Sequence, residues 1–478
     1  MSQSIPLVIL GVPFHSVTLD GCVQWCLQHM EGDRAGYIAT PNLDFVMKAV
    51  EDPELYRILA EADMVIADGM PIVWLSKELG PELPERVAGS DLVYSLAKGA
   101  APSGKKLFTL GGKEGVPEKA GQLLCEQNPG LQLAGAYSPP LADLLEMDHD
   151  SILSRLEESK PDMLYVAFGA PKQEKWINMH VHSWKVPLAL GIGGSLDFIA
   201  GAQTRAPAWM QKSGTEWIWR LGTNPKRLWK RYSSNFFFLM NARKKIRSIR
   251  DLPHQAAEKL KLNSADAARI REWSWQAAAD FSEAEKQVSD IQRSSADSQA
   301  LLINLQPCEW LSSLELGVLL SLGRWGKQQQ IPVLVGGLSE RLRKWIQFNN
   351  LDQLLQEIRT QDELQKSILP VSPARAEIDP REGLLELIPP PEITAARLPE
   401  WKEQLQPSLD ALPKAINRVE LNCRELRFLD SAGIGYLVAI RHQLDKRGCS
   451  FQLRHVSGAP MATLKISRVD RLLIPKED

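Results

Sequence analysis

Cysteine is scarce in this chain, with six in 478 residues: Cys22, Cys26, Cys125, Cys308, Cys423 and Cys449. Cys22 and Cys26 share one helix face, but no second pair stands near them, so no metal-ligand spacing forms. Long apolar runs are absent as well. No stretch reaches the ~18 residues that a spanning helix needs, and the N-terminus lacks the basic-then-apolar pattern of an export signal. The expectation is a cytoplasmic protein that is neither exported nor membrane-spanning. Charge of one sign is lacking too: 56 Lys and Arg face 58 Asp and Glu, for a net charge of −2. With no nucleic-acid motif beside it, that balance argues against a nucleic-acid partner. The one Asp-X-Asp resembling a metal clamp, Asp148-His149-Asp150, precedes a helical run from Ile152 to Glu158, where an Asp is more simply an N-cap. No metal and no cofactor are expected.

What is present is a soluble globular composition, 44% hydrophobic, in a chain long enough for three domains at about 150 residues each. The first half is a series of short apolar runs ending in polar or glycine clusters. Tyr37-Ile38-Ala39 leads into Thr40-Pro41-Asn42, and Met64-Val65-Ile66-Ala67 into Asp68-Gly69. Lys105–Leu110 ends at Gly111-Gly112, Met163–Phe168 at Gly169-Ala170-Pro171-Lys172-Gln173-Glu174, and Val186–Leu190 at Gly191-Ile192-Gly193-Gly194. Helical stretches separate these runs, which predicts βαβ units and a parallel sheet. In such sheets the ligand crevice lies outside the carboxyl ends of the strands. Thr40, Asn42 and Asp68 are delivered to that edge, where they serve either chemistry or as caps and turn residues. Glycines between a strand and a helix start, such as Gly111 and Gly112, let backbone N–H groups approach a phosphate. Gln173 and Glu174 read equally as the first turn of a helix, and Arg86 with Asp91 equally as a local ion pair.

From Leu10-Gly11-Val12-Pro13 to about Tyr232 the chain resembles the WecG/TagA/CpsF glycosyltransferases of the N-acetylmannosaminyltransferase type. The matching pieces are Thr40-Pro41-Asn42, Ala67–Pro71, Arg86–Leu92, Leu110-Gly111-Gly112, Gly169–Glu174, Gly191–Phe198, Thr204–Pro207 and Glu216–Leu221. The resemblance implies transfer of an N-acetylhexosamine from a UDP-sugar to a polyprenyl-diphosphate-linked sugar, with inversion and without an essential metal. Asp68 then stands where the family motif puts its proposed base, a role that suits a carboxylate at a sheet edge. Thr40 and Asn42 would orient sugar hydroxyls, and Gln173 would hydrogen-bond substrate. Arg86, Gly111, Gly112, Gly193 and Gly194 complete the substrate-binding candidates.

A UDP leaving group needs cations or a metal. Between Arg205 and Arg250 lie ten further Lys and Arg residues against one acid, Glu216, interleaved with eight aromatics from Trp209 to Phe238. This mix suits a helix lying on an anionic membrane surface, or a helix that packs its Trp residues on the core. The resemblance implies an appendage that reaches the lipid-linked acceptor and supplies arginines, here Arg220, Arg227 and Arg231. The corresponding location is the inner face of the plasma membrane.

Beyond Arg250 the chain turns polar, with Ala-rich runs over 256–293 that read as helix and no strand before Leu301. Residues 301–354 then align without gaps on 419–472, pairing Asn304 with Asn422, Ser313 with Ser431 and Gly317 with Gly435. Each copy reads strand, turn, helix, strand, helix, the length of a duplicated domain. The second copy holds Phe428-Leu429-Asp430-Ser431-Ala432-Gly433 and resembles the STAS domain. A phosphate on Ser431 would meet a helix N-terminus and the adjacent Asp430, so both are regulatory candidates for a protein partner or a kinase. The alternative is that they only cap the helix. The first copy lacks the Asp and has Glu315 in place of a glycine, which suits packing better than a phosphoswitch.

The expected architecture is α/β throughout: a Rossmann-like parallel glycosyltransferase domain (1–204), a basic aromatic membrane-associating appendage (205–250), and two smaller STAS-like α/β domains (251–365 and 366–478). The competing reading is a regulatory scaffold whose transferase half only binds nucleotide or lipid.

Overall fold

The computed structural model describes residues 5–201, 225–253, 269–368, 375–379, 383–413 and 415–475, with 260, 262, 263 and 266. A hairpin comes first, β1 (Leu7–Ile9) against β2 (Val12–Phe14). Its two-residue turn, Leu10-Gly11, has φ of 53° and 83°, the left-handed pair of a type I′ turn that glycine adopts without strain.

Six apolar runs then form one parallel sheet: β3 (Gly36–Ala39), β4 (Met64–Val65), β5 (Lys106–Gly111), β6 (Gln132–Tyr137), β7 (Met163–Ala167) and β8 (Leu188–Gly191). Their order is β4-β3-β8-β7-β5-β6. The inner strands are buried on both faces, as their unbroken apolar sequences require. One face is covered by α1 (Leu19–His29) with α5 (Gly89–Ala100) and α6 (Val116–Gln127), through Cys22, Cys26, Leu92, Leu96 and Leu124. The other carries α2 (Leu43–Glu51), α3 (Pro53–Glu61), α4 (Met70–Leu79), α7 (His149–Ser159) and α8 (Lys172–His180). A short α9 (Ser195–Ile199) follows β8. Asp148 accepts from the Ser151 N–H at 3.0 Å, so it caps α7 as expected. Asp52 caps α3, accepting from Glu54 and Leu55 N–H, with Pro53 at the first helical position.

The appendage is a long helix, α10 (Pro225–Arg250). Its C-terminal half is anchored by buried Ala242, Ile246 and Ile249 and by Arg243 on Glu78. Its N-terminal half leaves Trp229, Phe236, Phe237 and Met240 exposed.

The repeat is realised in two further sheets. The first comprises β9 (Ile270–Ser274), α11 (Phe281–Ser295), β10 (Ala300–Asn304), α12 (Ser313–Gln329), β11 (Val333–Gly336), α13 (Glu340–Phe348), β12 (Gln356–Glu357) and α14 (Gln361–Ile368). Its strands run parallel in the order β12-β11-β10-β9. The second begins with β13 (Arg375–Asp379), β14 (Leu384–Ile388), β15 (Glu392–Ile393) and α15 (Leu398–Asp410). It continues with β16 (Arg418–Asn422), β17 (Phe428–Leu429), α16 (Ser431–Asp445), β18 (Ser450–Arg454), α17 (Gly458–Ile466) and α18 (Asp470–Leu473). Its main sheet is ordered β13-β14-β16-β18. Thus β10, α12, β11 and α13 repeat as β16, α16, β18 and α17. The helix caps diverge in a way that explains Glu315: Ser312 and Glu315 form a reciprocal capping box on α12, whereas Asp430 alone caps α16.

Strand β9 corrects the expectation that no strand precedes Leu301. It is an edge strand with Arg271 and Glu272 on it, and an edge needs no continuous apolar run to hold its place.

The first sheet and the first repeat share one core. Val8, Phe14, Leu55, Leu59 and Val166 belong to the same buried cluster as Leu301, Leu316, Leu320, Trp345 and Leu351. Helix α12 lies directly on the hairpin: a Cβ placed on Gly317 would lie 1.7 Å from the Pro6 carbonyl oxygen. The second repeat has its own core, against which Leu145 and Met179 of the first half are packed.

Candidate active site

The carboxyl ends of β3, β4, β7 and β8 open into a cavity of about 380 Å³. Thr40 and Asn42 reach it from the β3 end, Asp68 from the β4 end, and Gln173, Gly193 and Gly194 from the β7 and β8 ends. The sequence-predicted catalytic set is therefore gathered at one edge. Two of its members also hold the fold. Asn42 caps α2, its Oδ1 accepting from the Phe45 N–H at 3.2 Å. The Asp68 N–H donates to the Pro41 carbonyl at 3.2 Å, which ties the β3 and β4 loops together. Gly89 brings α5 close behind Thr40, where a Cβ would lie 2.9 Å from Oγ1.

Gln173 is a staple between two loops. Its Oε1 accepts from the Gly169 N–H at 3.1 Å and the Gly193 N–H at 3.2 Å, and its Nε2 donates to Glu174 Oε1 at 2.7 Å. Two backbone donors on one atom fix which end of the amide is oxygen, and one Nε2 hydrogen is left over. Glu174 is buried, and burial pushes its carboxyl up to about 7 despite the Gln173 hydrogen bond and the Lys48 charge.

Other candidates lie elsewhere. Arg86, in the loop before α5, pairs with Asp91 in the first turn of α5 at 3.5 Å, and it is not among the residues lining the cavity, although Ser90 of α5 is. Gly111 and Gly112 are also outside the lining. They permit close packing, since a Cβ on Gly111 would meet the Ala167 carbonyl oxygen at 2.8 Å and one on Gly112 would meet Leu196 at 3.3 Å. Arg220 lies outside the described residues, as do the side chains of Arg227 and Arg231 on α10. Among the described residues, no group of three or more His, Cys, Asp or Glu is arranged to hold a metal ion. Nor is any described helix long and apolar enough to cross a membrane.

Sequence reasoning missed Asp44 and Lys48, which line the cavity from α2 and pair with each other at 3.3 Å. The signal was available, because Asp44 and Lys48 follow the Asn42 cap at positions that share a helix face. Lys48 brings a positive charge to the cavity wall.

The Asp430-Ser431 pair is not on a free surface. Ser431 is 2% exposed; its N–H and hydroxyl donate to Glu54 of α3 at 2.6 and 2.8 Å. Glu54 in turn meets Lys175 of α8 at 2.8 Å, and Lys175 meets Asp52 at 2.7 Å. Asp430 accepts from the Gly433 and Ala395 N–H groups, and burial beside Glu54 pushes its carboxyl up to about 7. Next along α3, Arg57 bonds Glu61 at 2.6 Å and reaches Glu392 at 3.3 Å, and Lys327 of α12 bonds Glu61 at 2.8 Å. Helix α3 thus contacts both repeats, through Ser431 and Glu392 of the second and Lys327 of the first.

Comparison with known proteins agrees with this geometry. Residues 392–475 match the family model "Mlab, STAS domain", so the second repeat is a STAS domain, and the first repeats its element order. Residues 7–251 match the model of the "Glycosyl transferase WecG/TagA/CpsF family". Three relatives carry the name N-acetylglucosaminyldiphosphoundecaprenol N-acetyl-beta-D-mannosaminyltransferase. The Bacillus spizizenii protein is 33% identical over 206 residues, which cover 43% of this chain and 78% of the relative. The Bacillus subtilis protein is 30% identical, covering 47% and 86%. The Staphylococcus aureus MRSA252 protein is 29% identical, covering 52% and 98%. With a cavity edged by Thr40, Asn42, Asp68 and Gln173 inside the matched half, the chain belongs to the WecG/TagA/CpsF family of glycosyl transferases.

Proposed function

We propose that this protein transfers an N-acetylmannosamine-type sugar from a UDP-sugar to a polyprenyl-diphosphate-linked sugar, with inversion, in cell-surface polysaccharide synthesis. The observation that carries the reading is the convergence of Asp68, Thr40, Asn42 and Gln173 on one cavity at the carboxyl edge of the sheet. An acceptor hydroxyl attacks the anomeric carbon while Asp68 takes its proton. The bond from that carbon to the UDP oxygen breaks, and UDP leaves with the electron pair. Thr40 and Asn42 orient sugar hydroxyls, and the remaining Nε2 hydrogen of Gln173 faces the substrate. Lys48 and the arginines of the appendage, Arg220, Arg227 and Arg231, balance the diphosphate charge. Asp148, engaged in capping α7, has no part in this, and the reaction proceeds without a metal.

The relatives' names supply the lipid-linked acceptor, and the exposed Trp229, Phe236, Phe237 and Met240 of α10 support contact with the inner leaflet. The working division is 1–204 for the transferase, 205–250 for the appendage, and 251–365 and 366–478 for the STAS-like pair, which acts as the regulatory part. The test is UDP release with a panel of UDP-sugars and a polyprenyl-diphosphate-GlcNAc acceptor. Asp68→Asn should lower turnover by ~10²–10⁴-fold while UDP-sugar binding persists. Wild-type turnover in that variant would end the assignment of the base. Binding of every donor without turnover by the native chain would favour the scaffold reading.

A further inference from the structure

We propose that Glu174 is a positioning residue for transfer, acting through Gln173 to hold the two loops that floor the cavity. The inference rests on the reading of that cavity as the transfer site.

Glu174 sits on the first turn of α8 and is 2% exposed. Its Oε1 is the acceptor for Gln173 Nε2 at 2.7 Å, while Oε2 has no hydrogen-bond partner among the described residues. The absence of a side chain at Gly191 makes this possible. A Cβ there would lie 2.6 Å from Gln173 Nε2 and 2.7 Å from Glu174 Oε1, so the pair occupies the space a larger residue would fill. Gln173 can serve the Gly169 and Gly193 N–H groups only while its oxygen faces them, which turns its NH2 group toward Glu174. An acceptor at 174 keeps the amide in that orientation. Without one, a buried N–H is left unpaired and the amide loses its preference for that orientation. Rotation of the amide would release the Gly169 and Gly193 N–H groups together. Gly169, Gly193 and Gly194 all line the cavity, so the space between the β7 and β8 loops would change with it.

The buried carboxyl adds a second consequence. Burial raises it to about 7, with Lys48 of α2 opposing the rise and Tyr37 of β3 within reach of its charge, so its deprotonation would put an anion beneath a cavity that takes an anionic donor. Its charging should therefore weaken donor binding as pH rises, and a glutamine at the same place would accept the same hydrogen bond without charging.

The experiment compares the full-length protein with Glu174→Gln and Glu174→Met. Amide hydrogen exchange is read in peptides containing Gly169 and Gly193, and kcat and KM for the UDP-sugar are followed from pH 6 to 8.5. Glu174→Met should speed exchange in both peptides and lower kcat by ~10–10²-fold, the scale expected when reacting groups are misplaced by about 1 Å. Glu174→Gln should keep wild-type exchange, recover most of kcat, and lose the rise in donor KM above pH 7. Unchanged exchange and kcat in Glu174→Met would overturn the proposal, as would a Glu174→Gln protein as impaired as Glu174→Met. If the native chain transfers no sugar at all, the functional reading fails, but the exchange data still decide whether Glu174 holds Gln173.

Discussion

Gly317 and Gly435 occupy equivalent places in the two repeats, yet one methyl group added to each should act in opposite directions. At Gly317 a Cβ would lie 1.7 Å from the Pro6 carbonyl oxygen and 3.2 Å from the Ile5 side chain. Ordinary C···O approach is about 3.3–3.6 Å, so α12 and the hairpin strand would have to part by roughly 1.5 Å. The shorter contact is made by main chain, which yields far less readily than the end of a flexible side chain. Alanine in place of glycine favours a helix by about 1 kcal/mol; overpacking of a rigid contact costs about 1–3 kcal/mol and occasionally more. The net for Gly317→Ala is a loss of about 2 kcal/mol, with loosening between the first repeat and the transferase sheet. At Gly435 the nearest atom to a Cβ is Leu145 Cδ2 at 3.7 Å, an ordinary contact, so Gly435→Ala should keep most of the helix gain and be neutral or stabilising. Urea midpoints of the two variants against the native protein measure the difference. A Gly317→Ala protein as stable as Gly435→Ala would show that α12 does not rest on the hairpin, and the shared core would fall with it.

Further outcomes follow from the same contacts. Ser431→Ala removes a hydroxyl donor from a carboxylate and should cost about 1.5–3 kcal/mol. Ser431→Glu buries a charge against Glu54 and Asp430, should cost more than about 3 kcal/mol, and should free the second repeat, seen as faster proteolysis between 366 and 400; native resistance would place Ser431 elsewhere. Phe236→Ser with Phe237→Ser should reduce partition onto vesicles of anionic lipid and leave the melting temperature unchanged, since both rings are already exposed; a large drop in melting temperature would make α10 structural at that end. Transfer should persist in EDTA, and a strict need for Mg²⁺ or Mn²⁺ would return Asp148 and Asp150 to consideration.

Local signals carried the parallel sheet, the caps and the duplication. Each inner strand is an apolar run too short for a helix, each ends in residues that cannot extend it, and the cap at Asp148 sits where its side chain satisfies a helix start. The site at the sheet edge was legible for the same reason, because topology alone brings Thr40, Asn42, Asp68 and Gln173 together. What escaped the sequence depends on partners far along the chain. Gly111 and Gly112 look like phosphate-loop glycines, and the groups that leave no room for a side chain there, the Ala167 carbonyl and the Leu196 side chain, lie far along the chain. The edge strand Ile270–Ser274 lacks an apolar run because one of its sides needs no partner. Ser431 reads as either a switch or a helix-capping residue, and its acceptor, Glu54, is 377 positions away. No pattern within the first repeat could announce the core it shares with the first sheet, since that core is built from residues far apart in the chain.

Helix α3 determines where this protein can be divided and rejoined. A seam at 251 looks natural on the sequence, and it severs no strand of either half. Yet it would strand the buried Glu54 carboxylate and Arg57 guanidinium in a surface shaped for absent neighbours. A transplant of the STAS-like pair onto another transferase of the family would therefore succeed only if Glu54, Arg57, Glu61 and the Lys175 that steadies them were moved along with it. The unit that can be inherited whole is the repeat pair plus α3 and the first turn of α8 that carries Lys175.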